Sequence, residues 1–305
     1  MLRFIRLLGP AVLASFIGLQ FVPAHGGDAD VQKQITLLST EINRLHQEQA
    51  MPSIVLRQHR NAICYIYGVY SLTLSTPSFH RELRRTRVSG TGFVIADGLI
   101  ATNRHVVQPW YEDPGDEARI DGGAKPHIEK MVAFFPSLKK SVTLFDVQVS
   151  PDQDLAVARF SPTEQTREIN PIALASERPS AGDPVVVVGY PLGVSAMLAK
   201  SPNNVFSRLA SKKDAAEIAS DLAQHDLIRP SSTCGHVSDI VNEKVIYDAP
   251  TAQGGSGGPV FNSKGEVIAV NAAYIDGFTG GTIGITADAV KPLLQKATLH
   301  GAPGN

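Results

Sequence analysis

The chain is short of several things, and each shortage removes a class of function. It has only two cysteines, Cys64 and Cys234, in 305 residues. That is too few for a disulfide-dense scaffold or a four-cysteine zinc site. Its nine histidines include no His-Glu-x-x-His run and no close pair, so a resident metal is not expected. Neither sign of charge is in excess: 28 basic side chains face 29 acidic ones, a net charge of −1. Nucleic acid is therefore not an expected partner, because phosphate binding needs a basic footprint. The one basic run, Arg81, Arg84, Arg85 and Arg87, reads as a solvated face. Disorder needs low hydrophobicity with a large net charge, whereas 43% of these residues are hydrophobic. A folded protein is expected.

What is present begins at the N-terminus. Arg3 and Arg6 precede an apolar stretch, Leu7 to Val22, which is interrupted by Gly18 and Gln20 and followed by Pro23-Ala24. The stretch is shorter than the ~20 residues of a spanning helix. A basic start, a short apolar middle and small residues at Val22-x-Ala24 describe a secretory signal peptide over residues 1–24, cleaved after Ala24. The alternative is an uncleaved anchor, the one case in which a membrane would be a partner. Either way the protein is expected outside the cytoplasm, periplasmic or secreted. There a Cys64–Cys234 disulfide is chemically allowed. Two separately buried thiols are the other reading.

Residues 25–52 read as an amphipathic helical segment, because Val31, Ile35, Leu38, Ile42 and Leu45 recur at spacings of 4, 3, 4 and 3. The seam has fewer heptads than a coiled coil usually needs. A helix packed on its own domain, or a stalk, is favoured over self-association, and the oligomeric state stays open. Met51-Pro52 is expected to end it.

From Ile54 onward the texture changes to short apolar or alternating runs divided by Gly, Pro, Asn and Asp. Examples are Ile63 to Val69, Gly92 to Ile95, Val142 to Val149, Leu155 to Phe160, Val185 to Val188, Val245 to Tyr247 and Val267 to Asn271. Such spacing argues an all-β sandwich or barrel. Pro171 to Pro184 reads as the connection between two halves. Trp110 to Lys130, rich in Asp, Gly and Pro, reads as a surface loop. Ser195 to Ser232 reads as an insertion with a helix over Asp214 to His225, and Ala287 to Ala297 as a closing helix.

Three segments carry chemistry. The first runs from Ser89-Gly90-Thr91-Gly92-Phe93-Val94-Ile95 to Thr102-Asn103-Arg104-His105-Val106. The second is Asp152-Gln153-Asp154-Leu155-Ala156-Val157, and the third Gly254-Gly255-Ser256-Gly257-Gly258-Pro259. A serine hydroxyl is a poor nucleophile at neutral pH and needs an imidazole to take its proton. The imidazole needs a carboxylate on its other nitrogen, which fixes the tautomer and stabilises the imidazolium. Glycines around the serine let backbone N–H groups converge on one point as an oxyanion hole. The expected roles are Ser256 as nucleophile, His105 as general base and then acid, and Asp154 as orienting carboxylate. Asp152 is the rival carboxylate, but Asp154 abuts the apolar strand that can bury it. The oxyanion donors would be the amides of Gly254 and Ser256.

Three other readings remain. The letters around Ser256 also satisfy the Gly-x-Ser-x-Gly elbow of α/β-hydrolases, which need Asp and then His downstream. Only Asp276, Asp288 and His300 are available there, without the alternating strand–helix pattern. A fold that carries these three residues can also serve as a binding scaffold without turnover. Glu112, Asp113, Asp116, Glu117 and Asp121 offer a weak calcium site, although the EF-hand spacing is missing.

The Thr-x-x-His-Val, Asp-Leu-Ala-Val and Gly-x-Ser-Gly-Gly-Pro segments resemble the trypsin-like serine proteases of chymotrypsin fold. Gly90 to Ile95, and Gly265-Glu266-Val267-Ile268-Ala269-Val270-Asn271, resemble the HtrA/Deg branch in particular. The order His, Asp, Ser fits, with intervals of 49 and 102 residues. The resemblance covers Ile54 to Lys296. It implies two antiparallel β-barrels, over 53–175 and 176–305, with the site in the cleft between them and helices at either end. It further implies peptide-bond hydrolysis through an acyl-enzyme, polypeptide substrates and no cofactor.

Departures from that family carry expectations of their own. The 49 residues after Ser256 are too few for the PDZ domain many HtrA-like members carry. Gly255 stands where relatives commonly have Asp or Asn, so activation by pairing a new N-terminus is not expected. Insertion 195–232 is large enough to cover or gate the cleft. The resemblance puts the floor of the specificity pocket at Pro250 and Thr251, its wall at Asn271, Ala272 and Ala273, and Ile283 behind. Pro250 replaces the acidic base that Lys or Arg would need. Cleavage after Val, Ala or Leu is expected, unless a register shift brings Asp248 into the pocket.

Overall fold

The computed structural model describes residues 28–76, 78–111, 113–274 and 281–300. The signal-peptide reading of residues 1–24 lies outside them, as do Glu112 and Asp276. Among the described residues no helix is long and apolar enough to cross a membrane. The chain divides into two compact units, Met1–Leu45 and His46–Asn305.

Within the first unit the described chain is the opening part of α1 (Asp28–His59). Its apolar seam is exposed, from 43% at Leu45 to 63% at Leu38. The helix also continues beyond Pro52. Met51 and Val55, one turn apart, are buried in the core of the second unit, and Ser53 Oγ donates to the Ala50 carbonyl. Burial on both sides of the proline outweighs its missing donor.

The second unit holds the expected pair of β-barrels. The first is a nearly closed antiparallel sheet of seven strands: β1 (Ile63–Thr76), β2 (Phe79–Ala96), β3 (Leu99–Thr102), β4 (Lys125–Phe134), β5 (Val142–Thr143), β6 (Phe145–Val149) and β7 (Ala156–Arg159), in the order β5-β4-β1-β2-β3-β7-β6. Short helices α2 (Arg104–Val107) and α3 (Pro114–Asp121) interrupt it, and α4 (Glu164–Arg167) follows it. Next come β8 (Pro184–Gly189), the helices α5 (Gly193–Ala199), α6 (Asn203–Leu209) and α7 (Ala215–Gln224), then β9 (Ser231–Val241), β10 (Lys244–Tyr247), β11 (Pro259–Phe261), β12 (Val267–Tyr274) and β13 (Thr282–Thr286). These strands close a second barrel, β10-β13-β12-β11-β8-β9, and α8 (Val290–His300) ends the described chain.

Burial explains the pattern of β8. Val185 and Val187 point into the closed barrel's own cluster, with Tyr247, Val260 and Ile268. Val186 and Val188 belong to the larger cluster that also holds Ile63, Phe93 and Ile100 of the first sheet. A strand buried on both faces reads as an unbroken apolar run, which is what Val185 to Val188 is.

Trp110 to Lys130 is not a plain loop. Asp113 caps α3 by accepting from the Asp116 N–H, and Pro114 sits at the first helical position, where its missing donor costs nothing. Asp116 is fully buried and accepts from Tyr70 Oη (2.6 Å), Arg84 (2.8 Å) and Arg119 (3.1 Å). Burial and that neighbouring carboxylate push the Tyr70 hydroxyl pKa up. Asp113 and Asp116, offered as calcium ligands, are therefore engaged by cations and a phenol. Two members of the basic run are likewise paired, Arg84 with these aspartates and Arg85 with Glu129.

The insertion is three helices rather than one. Met197, Leu209, Ile218, Ala219 and Leu222 from it are buried in the large cluster, and Lys139 binds Asp226 and the Gln224 carbonyl. Both cysteines are free: Cys64 is buried and Cys234 exposed. This replaces the disulfide and the pair of buried thiols alike. Burial also pushes the Cys64 thiol pKa up, which suppresses its thiolate. One alkylatable thiol, Cys234, is expected in the native protein, with Cys64 reacting only after unfolding. Peptide mapping after iodoacetamide treatment checks this, and equal reaction of both would contradict it.

Candidate active site

The site is assembled from the ends of strands in both barrels. β3 delivers Thr102 and Asn103, both fully buried, directly before α2. Asn103 Nδ2 donates to the Asp154 carbonyl at 2.7 Å and so joins the two segments of the first sheet. The Asp154 carboxylate then spans His105 twice: Oδ1 accepts the backbone N–H at 2.9 Å, and Oδ2 lies 2.7 Å from Nδ1. A carboxylate only accepts, so Nδ1 must carry the hydrogen, and Nε2 is left with a free lone pair. The side chain of Asp154 is 15% exposed and that of His105 33%. Asp152 is exposed, and the carboxylate brought to the ring is Asp154.

The loop before β11 supplies the other half. Its carbonyls are tied into the protein body. The Gln253 carbonyl accepts the Leu192 N–H at 2.7 Å, and the Gly255 carbonyl accepts from Gly258 N–H and from Asn271 Nδ2. In a trans peptide the N–H points opposite to the C=O. The N–H groups of Gly254 and Ser256 are thereby turned away from those anchors. Among the described residues neither has an acceptor. Gly254 has a φ of +93°. Gly255 is tightly enclosed, since a Cβ there would stand 2.6 Å from Thr251 Oγ1. This accounts physically for the missing acidic or amide side chain.

Ser256 Oγ donates to the Ala272 carbonyl at 3.2 Å, and among the described residues it has no hydrogen bond to His105. A cleft of about 470 Å³ runs past His105 and Asp154, walled by Val88, Gln253, Ala272 and Ala273. No residue of insertion 195–232 lines it, so the expected cover is not provided by that segment.

The expected pocket residues do not form one cavity. Pro250 and Thr251 line a small void of about 20 Å³ beside Val187 and Thr233, whereas Ala272 and Ala273 face the cleft. Asn271 is buried between them, donating to Thr251 and Gly255 and accepting from Tyr247 Oη. Ile283 pairs with Ile246 and Ala273 within the sheet and lines neither space. Asp248 is exposed, and its Oδ1 accepts the His236 N–H at 2.6 Å. Residues absent from the expected set also matter. Thr91 and Asn103 lie inside the quoted segments, but their contacts are long-range, and Arg104 stacks 4.1 Å over the Tyr111 ring beside the cleft.

A family model described as the trypsin-like peptidase domain matches residues 90–270. A DegP-like periplasmic serine endoprotease of Chlamydia trachomatis is 28% identical over 226 residues, covering 72% of this chain and 35% of the relative. Serine protease HhoA of Synechocystis is 29% identical over 214 residues, covering 69% and 43% respectively. The chain thus spans well under half the length of these curated relatives. Among solved structures, a serine endoprotease from Yersinia pestis superposes with a TM-score of 0.51 at 18% identity, covering 81% of this chain and 66% of that one.

Proposed function

Because the chain belongs to the trypsin-like peptidase family, we propose that it is a serine endopeptidase in which Ser256, His105 and Asp154 hydrolyse peptide bonds through an acyl-enzyme. The observation that carries this reading is the double grip of Asp154 on His105, a residue that lines the cleft, which leaves Nε2 free to act as the base. The Ser256 hydroxyl leaves the Ala272 carbonyl by rotation about χ1 and passes its proton to Nε2 as Oγ attacks the substrate carbonyl. The Gly254 and Ser256 N–H groups receive the oxyanion. The imidazolium then protonates the departing amine, and a water activated by the same ring releases the acid. No cofactor enters.

Small or medium aliphatic residues, Ala, Val or Leu, are the proposed residues before the scissile bond, beside the small side chains Ala272 and Ala273 that line the cleft. The Asn271 carboxamide occupies the depth behind Gly255, and Asp248 is held on the far strand by His236. No anion is thus offered to a Lys or Arg side chain by the described residues of this wall. Discrimination among aliphatic residues should be shallow, about 1–3 kcal/mol per methylene. Export to the periplasm or beyond fits both the leader-like N-terminus and the periplasmic relative, and polypeptides there are the proposed substrates.

A fluorophosphonate probe followed by peptide-library profiling tests the reading. Wild type should be labelled, Ser256→Ala should not, and cuts should follow small aliphatic residues. Well-folded wild type that takes no label would point to a binding scaffold, and dominant cleavage after Lys or Arg would overturn the pocket.

A further inference from the structure

We propose that the Thr91 hydroxyl is a positioning group that holds the oxyanion-binding loop in its working orientation, an inference that rests on the reading of Ser256 as nucleophile. Thr91 lies on β2 of the first sheet and is fully buried. Its Oγ1 donates to the Gly254 carbonyl at 2.7 Å and accepts the Tyr190 N–H at 3.0 Å. Its backbone N–H donates to the Ser256 carbonyl at 2.8 Å, and its own carbonyl accepts the Thr102 hydroxyl at 2.7 Å. One residue of the first barrel therefore touches both ends of the Gly254–Ser256 segment in the second. Through Thr102 it also touches the backbone that leads to His105.

The hydroxyl is needed because of what Gly254 is. A glycine at φ +93° resists rotation of its flanking peptides only weakly. Those two peptides are held by the Leu192 N–H on the Gln253 carbonyl and by Thr91 Oγ1 on the Gly254 carbonyl, and the Gly255 N–H of the second also donates within the loop to the Ala252 carbonyl at 2.8 Å. Without the hydroxyl, the Gly254 carbonyl and the Tyr190 N–H lose their partner together. With its carbonyl unheld, Gly254 can change φ and ψ, and that change alters the angle between the Gly254 N–H, in the 253–254 peptide, and the Ser256 N–H, in the 255–256 peptide. A hydroxyl suits this place because one oxygen can donate and accept at the same time, as it does here. Serine can do the same, whereas valine keeps the shape and offers neither bond.

The test compares Thr91→Ser, Thr91→Ala and Thr91→Val with wild type in the full chain, with active sites titrated by the fluorophosphonate. Wild type that does not label defeats the nucleophile assignment itself, a result distinct from any failure of Thr91. With labelling wild type, T91S should keep kcat within about threefold. T91A and T91V should lose about 100-fold in kcat with little change in KM. Affinity for a peptide aldehyde, whose adduct places an oxyanion at the two amides, should fall in step with kcat. Affinity for the product acid should hold. T91S and T91A both lack the methyl and differ by one oxygen, so they decide the matter if T91V does not fold. Equal kcat in T91S and T91A would overturn the proposal. So would a T91A that fails to fold, or whose loss vanishes below its lowered melting temperature, since the role would then be structural.

Discussion

Ser256→Ala and His105→Ala are each expected to lower kcat on the order of 10⁵-fold, and the double variant to fall hardly further. The nucleophile without its base, and the base without its nucleophile, are equally idle, so the second loss finds nothing left to remove. Asp154→Asn is expected to be nearly as damaging, about 10⁴-fold, for a reason visible in the geometry. The carboxylate accepts from both the His105 backbone N–H and Nδ1. An asparagine that gives its oxygen to the backbone must turn its NH₂ toward Nδ1. That forces the hydrogen onto Nε2, the nitrogen that has to accept the serine proton. Asp152→Asn serves as the control, because that exposed side chain should leave kcat unchanged. Turnover per mole of folded protein measures all five variants, and additive losses at Ser256 and His105 would contradict the assignment.

The pairing of His105 with Asp154 was legible because each partner lies in a short segment whose letters follow from local chemistry: a residue at a strand end, a carboxylate entering an apolar run. The strands were legible for the same reason, through pleat and burial. The elements that escaped depend on distant partners. Asp113-Pro114 is a helix start in its own right, but the Asp, Gly and Pro content around it reads as loop, and the reward for helix α3 is a buried Asp116 bonded to Tyr70 and Arg84 from other strands. Pro52 reads as a stop because its lost hydrogen bond is local, while the burial of Met51 and Val55 that overrides it is tertiary. The specificity pocket failed as a set. The family resemblance grouped Pro250 with Ala272, yet the Asn271 carboxamide sits between them, bonded to Thr251 and Gly255. Thr91 stood in the quoted Gly-Thr-Gly-Phe run without a role, since its hydroxyl acts on a residue 163 positions away.

Gly257→Ala is expected to be the most disruptive glycine-to-alanine change among the described residues. Gly257 has a φ of +85°, and a Cβ there would stand 2.1 Å from the Thr91 carbonyl and 2.3 Å from Thr102 Oγ1. Those atoms belong to the first sheet and cannot swing aside as a side-chain tip would, because Thr91 and Thr102 are hydrogen-bonded to each other. The dihedral strain costs about 1–2 kcal/mol and the overpacking about 1–3 kcal/mol more. For a unit of this size, a total of about 4 kcal/mol corresponds to a melting temperature lower by roughly 10 °C. The kinetic loss should exceed what unfolding explains. The only local relief is to part the Ser256 loop from the strand that leads to His105, which pulls nucleophile from base, so fluorophosphonate labelling should collapse even well below the melting temperature. Gly182→Ala separates the two contributions. Its φ is +89°, yet a Cβ there meets nothing within 4 Å, so it should show the dihedral cost alone and keep full labelling. Thermal melts and labelling rates of the two variants together check this, and a Gly257→Ala protein that melts and labels like Gly182→Ala would show that the two barrels are not in close contact at the nucleophile loop.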